Sequence, residues 1–284
     1  MSRKVLRAAR IASLALTAIG MASFGSFAEP GAQQNLQASP QQDSWPELAD
    51  SLFKSRPLAD GTGLIAIEMP GRAEDAAIVP LTVRSTLSPG DVRRVKAFTI
   101  VIDENPAPLA ATFSIGPNAV VSSISTRVRV NSYTNVHAVA ELTDGKLYVV
   151  TTYVKASGGC SAPAIKDANK AGVGQMRFRQ FAKSADVAAG NAREAQVMIR
   201  HPNNSGLQMD QVTRLYLPAY FVHSVKILQG DELLLAVEGS ISISEDPNIR
   251  FTYLPNNAKS FAVEATDTEN HVFKGEWPVE ASQM

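Results

Sequence analysis

Apolar and polar positions along this chain fall into short runs, most of strand length, cut by Pro, Gly or Asp. Leu64-Ile65-Ala66-Ile67-Glu68 is the first, closed by Met69-Pro70-Gly71. Ile78 to Ser85, Val95 to Ile102 and Ala111 to Ile115 follow. Ser123 to Val130 mostly alternates, with Ile124, Val128 and Val130 on one face. Val136 to Leu142 and Leu147 to Val154 flank Asp144-Gly145, a two-residue hairpin signal. Seven candidate strands at regular spacing predict an all-β sandwich of immunoglobulin type over residues 50–155. Ahead of them, Trp45 to Phe53 predicts one short helix, with Ser44 as N-cap and Pro46 just inside.

A second β region opens near Glu194. Gln196 to Arg200 is a strand, followed by the loop His201-Pro202-Asn203-Asn204-Ser205-Gly206. Tyr220 to Leu228 and Glu232 to Val237 flank Gln229-Gly230-Asp231, another hairpin. Ile241 to Ser244, Ile249 to Leu254, Ser260 to Ala265 and His271 to Trp277 complete a second, smaller sandwich over 193–280. Residues 156–192 carry five glycines and no strand alternation, so they are expected to be a mobile connector, with a short helix from Pro163 to Ala171. The expected fold is all-β: two immunoglobulin-like sandwiches joined by a flexible, glycine-containing linker.

The first 28 residues have the form of a secretory signal peptide. Arg3, Lys4, Arg7 and Arg10 precede the apolar run Ile11 to Phe24, and Ser26-Phe27-Ala28 is a small-x-small cleavage site. The expectation is export by the general secretory route, most simply to a bacterial periplasm. Residues 29–49, rich in Gln, Ser and Pro at their start, read as a flexible leader.

Charge sharpens this division. The whole chain balances 27 Lys and Arg against 27 Asp and Glu, which gives no general reason to expect nucleic-acid binding. Residues 29–154 carry 10 positive and 13 negative side chains, net −3. Residues 155–193 carry 7 and 2, net +5, and residues 194–284 carry 6 and 12, net −6. A basic middle segment joins two acidic ends.

One cysteine in 284 residues forbids an internal disulfide and any Cys-cluster metal module. A lone cysteine is ordinarily a buried small hydrophobe. The setting Lys155-Ala156-Ser157-Gly158-Gly159-Cys160-Ser161 argues for an exposed one, because no large apolar neighbour is present. Gly158 and Gly159 are expected to give the segment flexibility and reach, up to roughly 20 Å from Val154 at ~3.3–3.6 Å per residue. Lys155, Lys166 and Lys170 lie close in sequence and are expected to support the thiolate.

Other chemistry is poorly supplied. Without a second Cys, dithiol exchange of the CxxC type is excluded. The histidines, His137, His201, His223 and His271, show no metal-ligand spacing and no pairing with the thiol, and read as structural or surface residues. No GxSxG, HExxH or phosphate-binding Gly loop is present. No metal and no bound cofactor are expected. What remains is a thiol that carries a group covalently and is acted on by other proteins.

The sequence resembles the SoxYZ carrier of sulfur oxidation, with both subunits fused. Gly158-Gly159-Cys160 after a final strand is similar to the end of SoxY. Ile199-Arg200-His201-Pro202, Leu217-Pro218-Ala219-Tyr220-Phe221 and Ser242-Ile243-Ser244-Glu245-Asp246-Pro247 are similar to SoxZ. The resemblance implies that Cys160 bears sulfur intermediates covalently. It also implies that a periplasmic c-type cytochrome couples thiosulfate to the thiol, and that sulfur-oxidation enzymes then process the adduct. Ser161-Ala162 stands where the family has two further glycines, and the segment is internal. That arrangement is similar to the fused carriers associated with quinoprotein dehydrogenases. Three alternatives stay open: a non-covalent binding module, an accessory factor of such a dehydrogenase, and an enzyme whose site the sequence does not reveal.

Overall fold

The computed structural model describes residues 43–88, 90–163, 172–181 and 191–280. The expected signal peptide and residues 29–42 of the leader lie outside the described residues, as do Lys166, Lys170 and nearly all of the helix expected from Pro163. The described elements are one helix, α1 (Trp45–Phe53), and fifteen strands. The first eight are β1 (Leu58–Asp60), β2 (Ile65–Glu68), β3 (Val79–Ser85), β4 (Val95–Ile102), β5 (Leu109–Ile115), β6 (Val121–Val128), β7 (Thr134–Leu142) and β8 (Leu147–Val154). Then come β9 (Met176–Phe181), β10 (Arg193–Ile199), β11 (Val222–Gln229), β12 (Glu232–Gly239), β13 (Asn248–Tyr253), β14 (Ser260–Asp267) and β15 (Val272–Pro278). No described helix is long and apolar enough to cross a membrane.

Alternation sets which face each strand buries. In β3, Val79, Leu81 and Val83 point inward, and in β14 Phe261, Val263, Ala265 and Asp267 do. Gly145 closes the β7–β8 hairpin in the left-handed region at φ +80°, which glycine adopts without a Cβ penalty. The α1 helix lies over β7, where Trp45 stacks on His137 with ring centroids 3.7 Å apart. That cover explains why β7 is buried on both faces.

The two halves are not separate bodies on a linker. One sheet has nine strands in the order β1-β8-β7-β4-β5-β12-β11-β14-β15; the other has six, β2-β3-β6-β13-β10-β9. Both cross from the first half to the second. The nine-stranded sheet crosses where β5 pairs antiparallel with β12, with Phe113 opposite Val237. The six-stranded sheet crosses where β6 pairs antiparallel with β13, with Ile124 opposite Phe251. These pairings turn four would-be edge strands into interior ones. A single hydrophobic cluster runs from Leu81, Phe98 and Phe113 through to Ile227, Phe251 and Phe261.

Three segments differ from the sequence expectation. Leu58–Asp60, not expected as a strand, pairs parallel with β8. Met176 to Phe181, expected within the connector, is a strand paired with β10. It is a short edge strand with Arg177 and Arg179 exposed and no residue fully buried, so it lacks the apolar run that marks the other strands. Ile241 to Ser244, expected as a strand, is a loop touching β6 by one bridge at Val128 and Ile243.

Candidate functional site

Cys160 sits at the seam between the halves, in a turn just after β8. Residues 157–163 belong to no strand, and we call them the arm. The expectation of an exposed thiol is overturned: Cys160 is 0% exposed. Gly158 donates its N–H to Asn131 O (2.8 Å) and Gly159 donates to Val130 O (3.1 Å). From the second half, the Ser205 hydroxyl donates to Cys160 O (2.5 Å).

The glycines serve packing and turning rather than reach. A Cβ on Gly159 would stand 2.0 Å from Ala76 O and 2.6 Å from Val130 O, so only glycine fits against those carbonyls. Gly158 holds φ +76°, a left-handed turn that directs the chain inward.

The electrostatics also differ. Burial pushes the Cys160 thiol up to about 11, and the nearby Arg129 charge offsets only part of that. At neutral pH the docked thiol is therefore protonated. Lys155 is exposed, and its backbone bonds to Gly71 and Ala73; the cation that acts on the thiol is Arg129.

Arg129, one residue beyond β6, went unnoticed in the sequence because it continues an alternating strand pattern. It is 1% exposed. Its Nη1 donates to Gly159 O (3.2 Å) and its Nη2 to Asn203 O (3.3 Å), so one guanidinium ties the arm to the second half. Its Nε has no hydrogen-bond partner among the described residues. Desolvation pushes its pKa down, against the opposing pull of Glu245, Cys160 and Asp75. Below it, Asn105 Nδ2 donates to Arg129 O and to Ser242 Oγ.

The three SoxZ-like segments converge here. His201 N–H donates to Asp246 Oδ1 (3.0 Å), and Asp246 N–H returns to His201 O (2.8 Å). Ser244 Oγ donates to Ala77 O in the first half (2.7 Å). Tyr220 bridges Asn204. Gln208, fully buried, accepts from Ser205 N–H through Oε1, while its Nε2 has no hydrogen-bond partner among the described residues.

Three of the four histidines bond to groups other than the thiol. His201 accepts Asn203 N–H at Nδ1 (3.1 Å) and turns Nε2 toward Asp267 Oδ2 at 3.6 Å. Burial lowers its pKa, with Asp267 opposing. His271 pairs with Asp267 at 3.0 Å. His137 lies between Thr151 and Asp103, and His223 lies within β11. Among the described residues, no three His, Cys, Asp or Glu side chains converge to hold a metal ion.

Comparison with known proteins places this geometry in context. Residues 49–160 match the family model of the sulfur oxidation protein SoxY, and the match ends on Cys160. Residues 181–278 match that of the sulphur oxidation protein SoxZ. Comparison with curated proteins gives no match. Among solved structures, the sulfur carrier protein SoxY from Chlorobium limicola f thiosulfatophilum is 27% identical over 40% of this chain and 91% of its own, with a TM-score of 0.34. The superoxide reductase (neelaredoxin) from Ignicoccus hospitalis is 11% identical over 32% of this chain and 78% of its own, with a TM-score of 0.29.

Proposed function

The chain belongs to the SoxY and SoxZ families, one domain of each in a single polypeptide, and from that premise we propose that it is a periplasmic carrier loaded covalently with sulfur intermediates on Cys160. The observation that carries the reading is positional. The chain's one thiol ends the SoxY-matching segment and is clasped there by the SoxZ-matching half.

A sealed thiol cannot be loaded where it rests, so the arm works by undocking. Release breaks the bonds from Gly158, Gly159, Ser205 and Arg129. At a net of about 0.5–1.5 kcal/mol each, the open form is a minor population. In solvent the thiol returns toward its ordinary pKa, and a usable fraction becomes thiolate. With thiosulfate, Cys–SH and S2O3 dianion join through a new S–S bond to give Cys–S–S–SO3 anion. One proton is released, and two electrons pass to c-type cytochrome. Other sulfur-oxidation enzymes then act on the adduct. The protein supplies the handle and its gate, and its partners supply the catalysis.

The buried Cys160 favours one second reading: a non-covalent accessory module of a periplasmic quinoprotein dehydrogenase, with Cys160 as core. One experiment separates them. The purified protein is incubated with thiosulfate and oxidised periplasmic cytochromes, and its intact mass is taken. An adduct absent from Cys160→Ser is expected. No adduct, or one that survives in Cys160→Ser, overturns the carrier reading in favour of the accessory module.

A further inference from the structure

Burying a guanidinium is costly unless its charge and donors are met. Arg129 is buried, yet among the described residues its hydrogen-bond partners are two neutral carbonyl oxygens, and its Nε is left without one. Bridging Gly159 O to Asn203 O needs donors and no charge; a neutral amide would do it at a lower desolvation cost. A second spare donor lies close by. Gln208 is bonded to Ser205, Ser205 is bonded to Cys160 O, and Gln208 Nε2 is buried without a partner among the described residues. One positive charge and two unused side-chain N–H groups therefore lie in the network that holds the arm.

We propose that Arg129, assisted by Gln208, is the receptor for the anionic end of the group carried on Cys160. This rests on the carrier reading and names the class of cargo: sulfonate-ended or otherwise negatively charged adducts rather than neutral ones. An empty arm docks through its Gly159 carbonyl. A loaded arm redocks with its Gly159 carbonyl displaced from Arg129 Nη1, so that Nη1 and Nε meet oxygens of the adduct. A planar guanidinium offers paired donors that suit a sulfonate or carboxylate edge. The carboxylates of Glu245 and Asp75 act on the same cation. They leave its Nε unpartnered, so the adduct completes the site. The loaded arm is held by charge, and the empty arm by a backbone bond.

The test uses two labels of equal size, one anionic and one neutral, on the native protein. Iodoacetate and iodoacetamide each lose iodide to the Cys160 thiolate, leaving an anionic carboxymethyl or a neutral carbamidomethyl group. The carboxymethyl protein is expected to unfold at a temperature higher by about 3 °C or more than the carbamidomethyl protein. That gap is expected to close in Arg129→Gln and to survive in part in Arg129→Lys. Equal unfolding temperatures, or a higher one for the neutral label, overturn the proposal. The wild-type comparison decides even if Arg129→Gln fails to fold. If Cys160 in the folded protein takes neither label, the carrier reading itself fails; if both labels attach and unfold alike, only the anion receptor fails.

Discussion

The Ser205 hydroxyl donates to the carbonyl oxygen of Cys160, joining two residues 45 positions apart that belong to different halves of the chain. That bond makes the second half a clasp on the arm. Both groups are buried, so removing the hydroxyl leaves an unsatisfied carbonyl rather than a hydrated one. Ser205→Ala is expected to raise the iodoacetamide alkylation rate of native Cys160 by about tenfold, in keeping with about 1–2 kcal/mol for such a loss. An unchanged rate would show that the arm opens without breaking this contact.

The two glycines differ in what they resist. Gly159→Ala places a methyl group inside contact distance of two backbone carbonyls, which have no rotamer to escape by. Gly158→Ala meets only the Ser161 hydroxyl at 3.9 Å and pays for its left-handed φ alone, about 1–2 kcal/mol. Thermal unfolding and Cys160 alkylation are expected to rank them together: Gly159→Ala less stable and more reactive than Gly158→Ala. The reverse order would mean that the arm is held mainly by its turn.

Thiol burial gives a defined pH response. Below pH 9.0, the ordinary thiol value, folded and unfolded chains both keep the proton and the group has no effect. As pH rises from there toward about 11, the unfolded chain releases its proton and the docked one does not, so stability falls. Thiolate ultraviolet absorbance of the folded protein is expected to rise only near the upper end of that window. The loss of stability is expected to be absent in Cys160→Ser. A folded-state midpoint near the ordinary thiol value would contradict the docked geometry.

Acid acts through a different group. Asp267 is buried, which works against its ionisation, but N–H groups of His271 and Glu269, the His271 ring and the Tyr220 hydroxyl more than compensate and hold its pKa below the ordinary 3.8. Its contribution is present above that value and is lost as pH falls through the lower, folded one. Urea unfolding between about pH 5 and pH 2 is expected to show a shallower loss for Asp267→Asn, from a lower starting stability. Parallel curves would assign the acid response elsewhere.

The seam predicts that the halves hold together without the chain between them. A protein cleaved at an engineered site between residues 163 and 172 is expected to elute as one species and to unfold in one transition. Two ladders and a shared core join its parts. Separation of the fragments on size-exclusion chromatography would contradict this. Phe113→Ala, which removes a fully buried ring opposite Val237, is expected to cost about 3–5 kcal/mol and to destabilise both halves at once.

Much of the architecture was legible in the residues. Val95–Ile102 and Leu147–Val154 are the expected strands end for end, and Asp144-Gly145 makes the expected hairpin. Such features depend on neighbours two to ten positions away, and strand alternation and turn chemistry record them directly. Cys160 as the residue of interest was legible because it is unique, and the segments around His201, Tyr220 and Ser242 were legible through family resemblance.

The state of the thiol was not legible. Ser-Gly-Gly-Cys has the local grammar of a loose tether, and the same glycines read equally well as the only residues small enough for a tight backbone approach. Which meaning holds depends on Ala76, Val130 and Ser205, whose positions come from sheet pairing across 30 or more residues. The same distance hid Arg129, which passes for one more polar position on a strand until the fold closes over it. Sequence determined the strands, their faces and the single thiol, because those follow from local sterics and the hydrophobic period. The tertiary structure alone decided that the halves share two sheets and that the thiol is sealed beside a buried cation, because burial and charge pairing belong to surfaces that exist only once distant strands have met.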